Sequence, residues 1–425
     1  MRQRRARGGD ANPPPAGEQG RHPSAQSQRG LDWFIFFLAD VQTGFGPFVA
    51  VYLTTQKWTQ SEIGLILSIG GVVGLIGQMP GGAIIDAARS ERLVAGLAVA
   101  TIGVSALAYA AWPIFPVIAL AAILHAAASC VLGPVIAAIS LGLVGPRAIG
   151  ERLGRNARYA SLGNGVAAGV MGVVGYLLSS RAVFVVSFAF AVATLLSLTR
   201  IRDREIDPEQ AHGAIARAEP DPDATSVVQL LHQRPLVIFA CTVFLLQFAN
   251  AAMLPLMAGI VTERSSQGAP ALIALCIIVP QAIVALVSPS VGRKAQLWGR
   301  RPLLMIAFAA LVLRGALFAM VHDPSLLVAV QVLDGITAAV FGVMTPLIVA
   351  DVAFGSGHFN LAQGLIGTAV GIGASLSTVV AGYVSDHFGH GVAFMALAAV
   401  ALSGLLVVLT LMPETRLAEG PERRS

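Results

Sequence analysis

LHAAASCVLGPVIAAISL at residues 124–141 and LDGITAAVFGVMTPLIVA at residues 333–350 are two apolar runs of matching pattern, 209 positions apart. Each carries a single ionisable group near its start, His125 in the first and Asp334 in the second, and is otherwise small and apolar. With its flanks, each run exceeds the roughly 20 residues needed to cross a bilayer core as a helix. Neither has the polar face that a soluble amphipathic helix needs. A membrane-crossing run that recurs at half the chain length predicts a duplicated bundle. Other pairs stand at similar spacing: Gly82 and Gly292 at 210, Pro47 and Pro255 at 208. RNARYASLG at 155–163 echoes FNLAQGLIG at 359–367.

The rest of the 425-residue chain agrees. It is 55% hydrophobic and 12% charged, against roughly 25% charged in a soluble domain, which excludes a soluble enzyme. The net charge of +5 is carried by arginines plus Lys57 and Lys294, in short clusters between apolar runs. That pattern lacks the basic groove of a nucleic-acid binder. Cys130, Cys241 and Cys276 all lie inside apolar runs and read as small buried hydrophobes, neither a disulfide framework nor a metal site.

Runs of sufficient length predict twelve spans near 33–54, 63–85, 93–112, 116–143, 160–179, 182–200, 235–261, 270–290, 302–321, 325–349, 361–384 and 391–412. The expected domains are a disordered basic arm (1–32), a six-helix bundle (33–201), a charged linker (202–234), a second six-helix bundle (235–412) and a tail (413–425). If both termini face the cytoplasm, 24 of the 28 Lys and Arg residues lie on that side. Lys57, Arg181 and Arg264 lie on the other, and Arg314 lies within a span. This asymmetry sets the expected orientation. The Arg-dominated, Ala- and Gly-rich usage points to the inner (plasma) membrane of a bacterium.

GGAIIDAARSERL (81–93) stands between spans 2 and 3, and GRKAQLWGRRPLL (292–304) between spans 8 and 9. With the six-plus-six duplication, these resemble the major facilitator superfamily loop signature, G-x-x-x-D-x-x-G-R-R/K. The first copy keeps Gly82 and Asp86 and has Arg89 and Ser90 in place of Gly-Arg, with Arg92 following. The second keeps Gly292, Gly299, Arg300 and Arg301 and has Gln296 in place of the acid. The resemblance runs from span 1 to span 12. It implies an all-α membrane protein of twelve transmembrane helices in two pseudo-symmetric six-helix bundles. It also makes the loop a latch, in which Asp86 meets the start of span 11 near Asn360, a residue suited to capping. Arg89 and Arg92 would steady Asp86, and Gln296 would hold the matching contact to span 5 by hydrogen bonds. PETR (413–416) resembles the tail of sugar-porter members.

Ionisable groups inside spans cost enough to mark a cavity or a partner. They are Asp40, His125, Arg314 and Asp334. Rise per residue places Arg314 and Asp334 at similar depth on adjacent spans, so an ion pair is expected. The resemblance puts Asp40, His125 and Asp334 on or near the central cavity, as candidates for proton coupling. Gln42, Thr43, Asn164, Gln247, Asn250, Gln281 and Arg314 are candidate cavity residues. Gln247 and Asn250 share one helical face.

These features predict a secondary active transporter of a small organic solute, working by alternating access and coupled to protons. No phosphate-binding loop for direct use of ATP is found, and no cofactor, metal or enzymatic activity is expected. Asp40 and Asp334, with few cavity bases, favour a neutral or cationic solute exported by antiport. The alternative is proton-coupled uptake, with Arg314 on an anionic substrate group. A non-transporting sensor on the same fold would need an added soluble module. The expected partners are lipid, solute and protons, with the chain acting as a monomer.

Overall fold

The computed structural model describes residues 23–43, 49, 52–53, 55–211, 233–257, 269–321, 323–353 and 358–416. Among them every regular element is a helix. In the first half these are α1 (Ala25–Thr43), α2 (Gln60–Asp86), α3 (Glu91–Ala111) and α6 (Ser180–Leu198). Between α3 and α6 a helical path runs from Phe115 to Leu177. Gly145, at φ 71°, breaks it into α4 (115–144) and α5 (146–177). Only glycine takes that backbone conformation without strain. The second half holds α7 (Arg234–Asn250), α8 (Ala269–Trp298), α9 (Arg301–Met320), α10 (Pro324–Ala353), α11 (Phe359–Phe388) and α12 (His390–Thr410). Among the described residues, ten continuous stretches are long and apolar enough to cross a membrane, and the one over Phe115–Gly175 is 61 residues long, enough for two crossings.

Several boundaries differ from the sequence reading, among them the end of α8 at Trp298 instead of 290, and two of the differences bear on how the elements are held. Residues 25–32, expected in the disordered arm, form the first turns of α1. They dock on the start of the linker: Ser24 donates through N and Oγ to Glu205, and the Arg202 amide donates to Ser27 Oγ. Residues 146–159, expected as a loop because of their four arginines, are the first turns of α5. Arg152 is buried there and Arg155 half-buried, so their charges are neutralised inside the protein.

Local chemistry fixes the helix ends. Thr59 and Glu62 form a reciprocal capping box at the start of α2. Ser90 and Ser179 cap α3 and α6 through their hydroxyls. The helix ends at 86, 144, 298 and 353 share one face with the linker and the tail, here the linker face; the opposite end is the distal face. At 30 residues each, α8, α10 and α11 span about 45 Å and project beyond a ~30 Å hydrocarbon core.

Each half has its own apolar core. The core of the second half also takes in Ala137, Leu141, Ile149 and Leu153 from the linker-face ends of α4 and α5. The halves therefore share apolar packing at the linker face. Of the membrane-length helices, α2 and α11, which pack on each other across the halves, are the least buried, at 17% and 28%.

Candidate functional site

At the linker face the two halves are joined by a cap supplied in trans. The N-cap of α11 is His358, whose side chain makes no capping hydrogen bond. Asp86, the last residue of α2, accepts instead from the Asn360 amide (3.1 Å) and the Leu361 amide (2.7 Å). Two first-turn N–H groups that have no partner within their own helix are thus satisfied, with a carboxylate at the positive end of the helix dipole. Asn360 does not cap α11 with its own side chain, as its sequence position suggested. Its Nδ2 donates to Asp86 (2.8 Å) and to the Ala211 carbonyl of the linker (3.4 Å). Arg92 pairs with Asp203 of the linker at 2.8 Å, and Arg89 is exposed.

The helices cross closely on both sides of the latch because glycines meet carbonyls. A Cβ at Gly82 would strike the carbonyl of Asn360, and one at Gly364 that of Gln78. Between α8 and α5, Gly292 meets the carbonyl of Gly150, and Gly154 that of Ser288. Shifting the α8–α5 set by 210 positions reproduces the α2–α11 set. Gly163 on Phe36 and Gly373 on Phe244 repeat the relation within each half. The pairing of 155–163 with 359–367 is therefore six residues out of register: in space, 163 corresponds to 373.

The same symmetry explains why Gln296 stands where Asp86 stands in the other repeat. α11 begins at Phe359, so residues 360 and 361 offer free N–H groups. α5 begins at 146, so the amides of 150 and 151 already bond within their helix and give a carboxylate nothing to cap. Gln296 packs against Gly150, and its Nε2 is buried without a hydrogen-bond partner among the described residues, contrary to the hydrogen-bonded contact expected. The turn between α8 and α9 needs Gly299 at φ 89°, whereas the α2–α3 turn has no positive φ and accepts Arg89.

Further anchors lie at this face. Glu414 of the PETR segment accepts from the Arg300 amide (2.8 Å) and the Arg301 amide (3.2 Å), capping α9. Arg300 pairs with Asp351 at 2.8 Å, and Arg416 donates to the carbonyls of Gln296 and Leu297. In the linker, burial raises the Glu205 carboxyl, but Ser24, Ser27 and Arg202 together hold it below its ordinary range. In the first half, Asp32 is 1% exposed and accepts from Arg152 (2.7 Å) and Arg155 (2.9 Å). Arg152 continues to Asn156, and Asn156 to Ser140. Asp32 escaped the sequence reading because it directly precedes the first apolar run; the four-residue spacing of Arg152 and Asn156 was its one available signal.

Deeper in the second half lies a cavity of about 350 Å³. It is lined by Val243, Leu246, Gln247 and Asn250 of α7, by α10 from Thr337 to Thr345, and by Val370 of α11. Behind it Arg314, 1% exposed, donates to Asp334 (2.6 Å), to Asn250 Oδ1 and to Gln331 (2.9 Å), above the Phe318 ring. The structure thus contains the Arg314–Asp334 pair and brings Gln247 and Asn250 to one void. Gln281 does not line that void. It receives Ser161 of the other half at mid-depth, its backbone carbonyl 2.7 Å from Ser161 Oγ. Asn164 and His125 are half-buried on α5 and α4. Asp40, Gln42 and Thr43 belong to α1, but their side chains lie outside the described residues, as does Pro47.

Toward the distal face the crossings open. Gly71 of α2 and Gly165 and Gly172 of α5 continue the contact rows, yet nothing lies within 4 Å of where their side chains would begin. The geometry is that of two bundles closed at the linker face and parted at the distal face.

Comparison with known proteins matches this arrangement. The sequence profile described as Major Facilitator Superfamily matches residues 33–313 and, in a second overlapping match, 240–425. An MFS-type transporter of Mycobacterium tuberculosis is 39% identical over 394 residues, covering 91% of this chain and 93% of its own. Among solved structures, the human organic anion transporter MFSD10 superposes with a TM-score of 0.67 at 15% identity, over 91% of this chain and 100% of that one. A proton:xylose symporter superposes at 0.66 and 15% identity, over 92% and 95%.

Proposed function

The chain belongs to the major facilitator superfamily of membrane transporters, and from that premise we propose that it exports a small organic solute in exchange for protons by alternating access. The observation that carries this reading is the pairing of a closed linker face, held by Asp86 on the start of α11, with an α7–α10 cavity whose lining residues bear no formal charge. Loss of the latch would open the linker face, and approach of the glycine rows on α2 and α5 would close the distal one. Asp40, His125 and Asp334 are the coupling candidates. Asp334 is engaged by Arg314 at 2.6 Å, so Asp40 is the first choice for the proton. The linker face is assigned to the cytoplasm of a bacterial inner membrane on the strength of the arginine asymmetry. Gln247 and Asn250 are assigned to the solute.

A second reading, proton-coupled uptake, is favoured by one feature: a buried base, Arg314, one side chain away from the cavity. Proteoliposomes separate the two once a deletion screen for altered growth or toxin sensitivity has supplied a solute. Under antiport, imposing a solute gradient drives protons against the direction of solute movement; under symport they move with it. Asp40→Asn is expected to abolish the pH change, and a full response in that variant would overturn the coupling assignment.

A further inference from the structure

Asn250 lines the cavity while its Oδ1 is engaged from behind by Arg314 Nη1. That bond fixes which way the amide faces: the oxygen points to the guanidinium, and the Nδ2 group, which donates to nothing among the described residues, is left on the cavity side. Arg314 cannot turn away, because it is 1% exposed, bonded to Asp334 and Gln331, and stacked on Phe318 at 5.3 Å. Thr337, also on the lining, spends its hydroxyl on the carbonyls of Ala307 and Leu333. Phe341, Val243, Leu246 and Val370 supply an apolar wall.

We propose that Arg314 is a positioning residue which holds Asn250 with its two N–H donors directed into the α7–α10 cavity, so that the site takes an uncharged solute presenting a hydrogen-bond acceptor, such as a carbonyl, beside an apolar body. This rests on the transporter reading for its biological meaning, but its test does not. Gln247 and Thr345 also line the cavity and can both donate and accept, so the bias toward acceptors comes from the fixed Asn250 donors, which a ligand without an acceptor leaves desolvated and unpaired.

The test is equilibrium binding to the purified full chain in detergent, with four probes of similar size. N,N-dimethylbenzamide is neutral and only accepts, 2,3-dimethylindole is neutral and only donates, and 4-ethylbenzoate and benzyltrimethylammonium carry opposite charges. The benzamide is expected to bind at least tenfold more tightly than the other three. Asn250→Asp, which keeps an oxygen for Arg314 but removes the donors, is expected to erase that preference. Arg314→Lys loses the planar guanidinium whose Nη1 holds the amide oxygen, so the benzamide-to-indole ratio should fall toward one. General loosening of the cavity would weaken both probes alike. If Arg314→Lys does not fold, Asn250→Asp and Asn250→Leu still decide, since both keep the Arg314–Asp334 pair. Absence of benzamide binding, equal binding of a charged probe, or a preference surviving Asn250→Asp would overturn the proposal. Failure of solute-driven pH changes in vesicles would sink the proton-coupled reading and leave these affinities unaffected.

Discussion

Asp32 shows how much a single buried charge can organise. It holds two guanidinium groups, ties α1 to α5, and through Asn156 and Ser140 reaches α4. Removing its charge leaves Arg152 buried without a counter-ion, a change that typically costs about 3–5 kcal/mol. Asp32→Asn is therefore expected to lower the thermal unfolding temperature in detergent by several degrees, and the double variant with Arg152→Gln to recover most of the loss. A double variant no more stable than the single one would show that the pair is not the source. Glu414→Ala makes a smaller demand: it strips the cap from α9, worth about 0.5–2 kcal/mol, and should destabilise the second half as seen by faster proteolysis of α9–α12. At this scale the sequence was legible where depth could be counted. Stepping along the helices put Arg314 and Asp334 at one level, and they meet there. Asp32 was not legible, because its charge looks like part of the polar arm until α5 is known to begin at 146.

Elements were easier to find than their ends. Hydropathy locates a span because the bilayer core imposes a length on it. It does not locate the start of α5, where four arginines read as loop although two of them pair with Asp32. Register between the repeats was similarly hidden in 155–163, where the likeness of short polar motifs outweighed the spacing that the glycine–carbonyl contacts impose. Those contacts also explain glycines that touch nothing. Gly82, Gln78 and Leu75 of α2 meet α11, and Gly71 is the next position in that row, with open space before it. On α5, Gly165 follows Ser161 in the same way. A small residue in open space has no packing role in the distal-open arrangement, but it is required once the distal ends approach. Gly71→Val and Gly165→Val should accordingly leave the unfolding temperature of the linker-closed form within about a degree of wild type while stopping solute turnover in vesicles. Normal turnover in both would mean that the distal ends never come together along these rows.

At the scale of the whole molecule the proposed alternating access would make the two faces compete for one equilibrium. Twelve spans and a duplication could be read from the chain because both are repeated many times over. The latch's true partners could not be read from spacing alone, since Asp86 and Asn360 are 274 positions apart and meet only when the two bundles are assembled. That separation supplies a test. Asp86→Asn weakens hydrogen bonds to a charged acceptor, each worth about 1.5–3 kcal/mol, and so favours opening of the linker face. Gly71→Val obstructs closure of the distal face and so favours the opposite state. If the halves rock as rigid bodies, the two substitutions act on one two-state balance and should offset each other. Spin labels at Ala148 and Arg293, both exposed on the linker-face ends of α5 and α8, report one gate; labels at Val173 and Ile278 report the other. In Asp86→Asn the first pair should lengthen as the second shortens. In the double variant both distance distributions should return toward those of the wild type. Were the linker-face pair to lengthen without any response at the distal pair, the gates would be independent, and rigid-body rocking about the Ser161–Gln281 contact would not describe this protein.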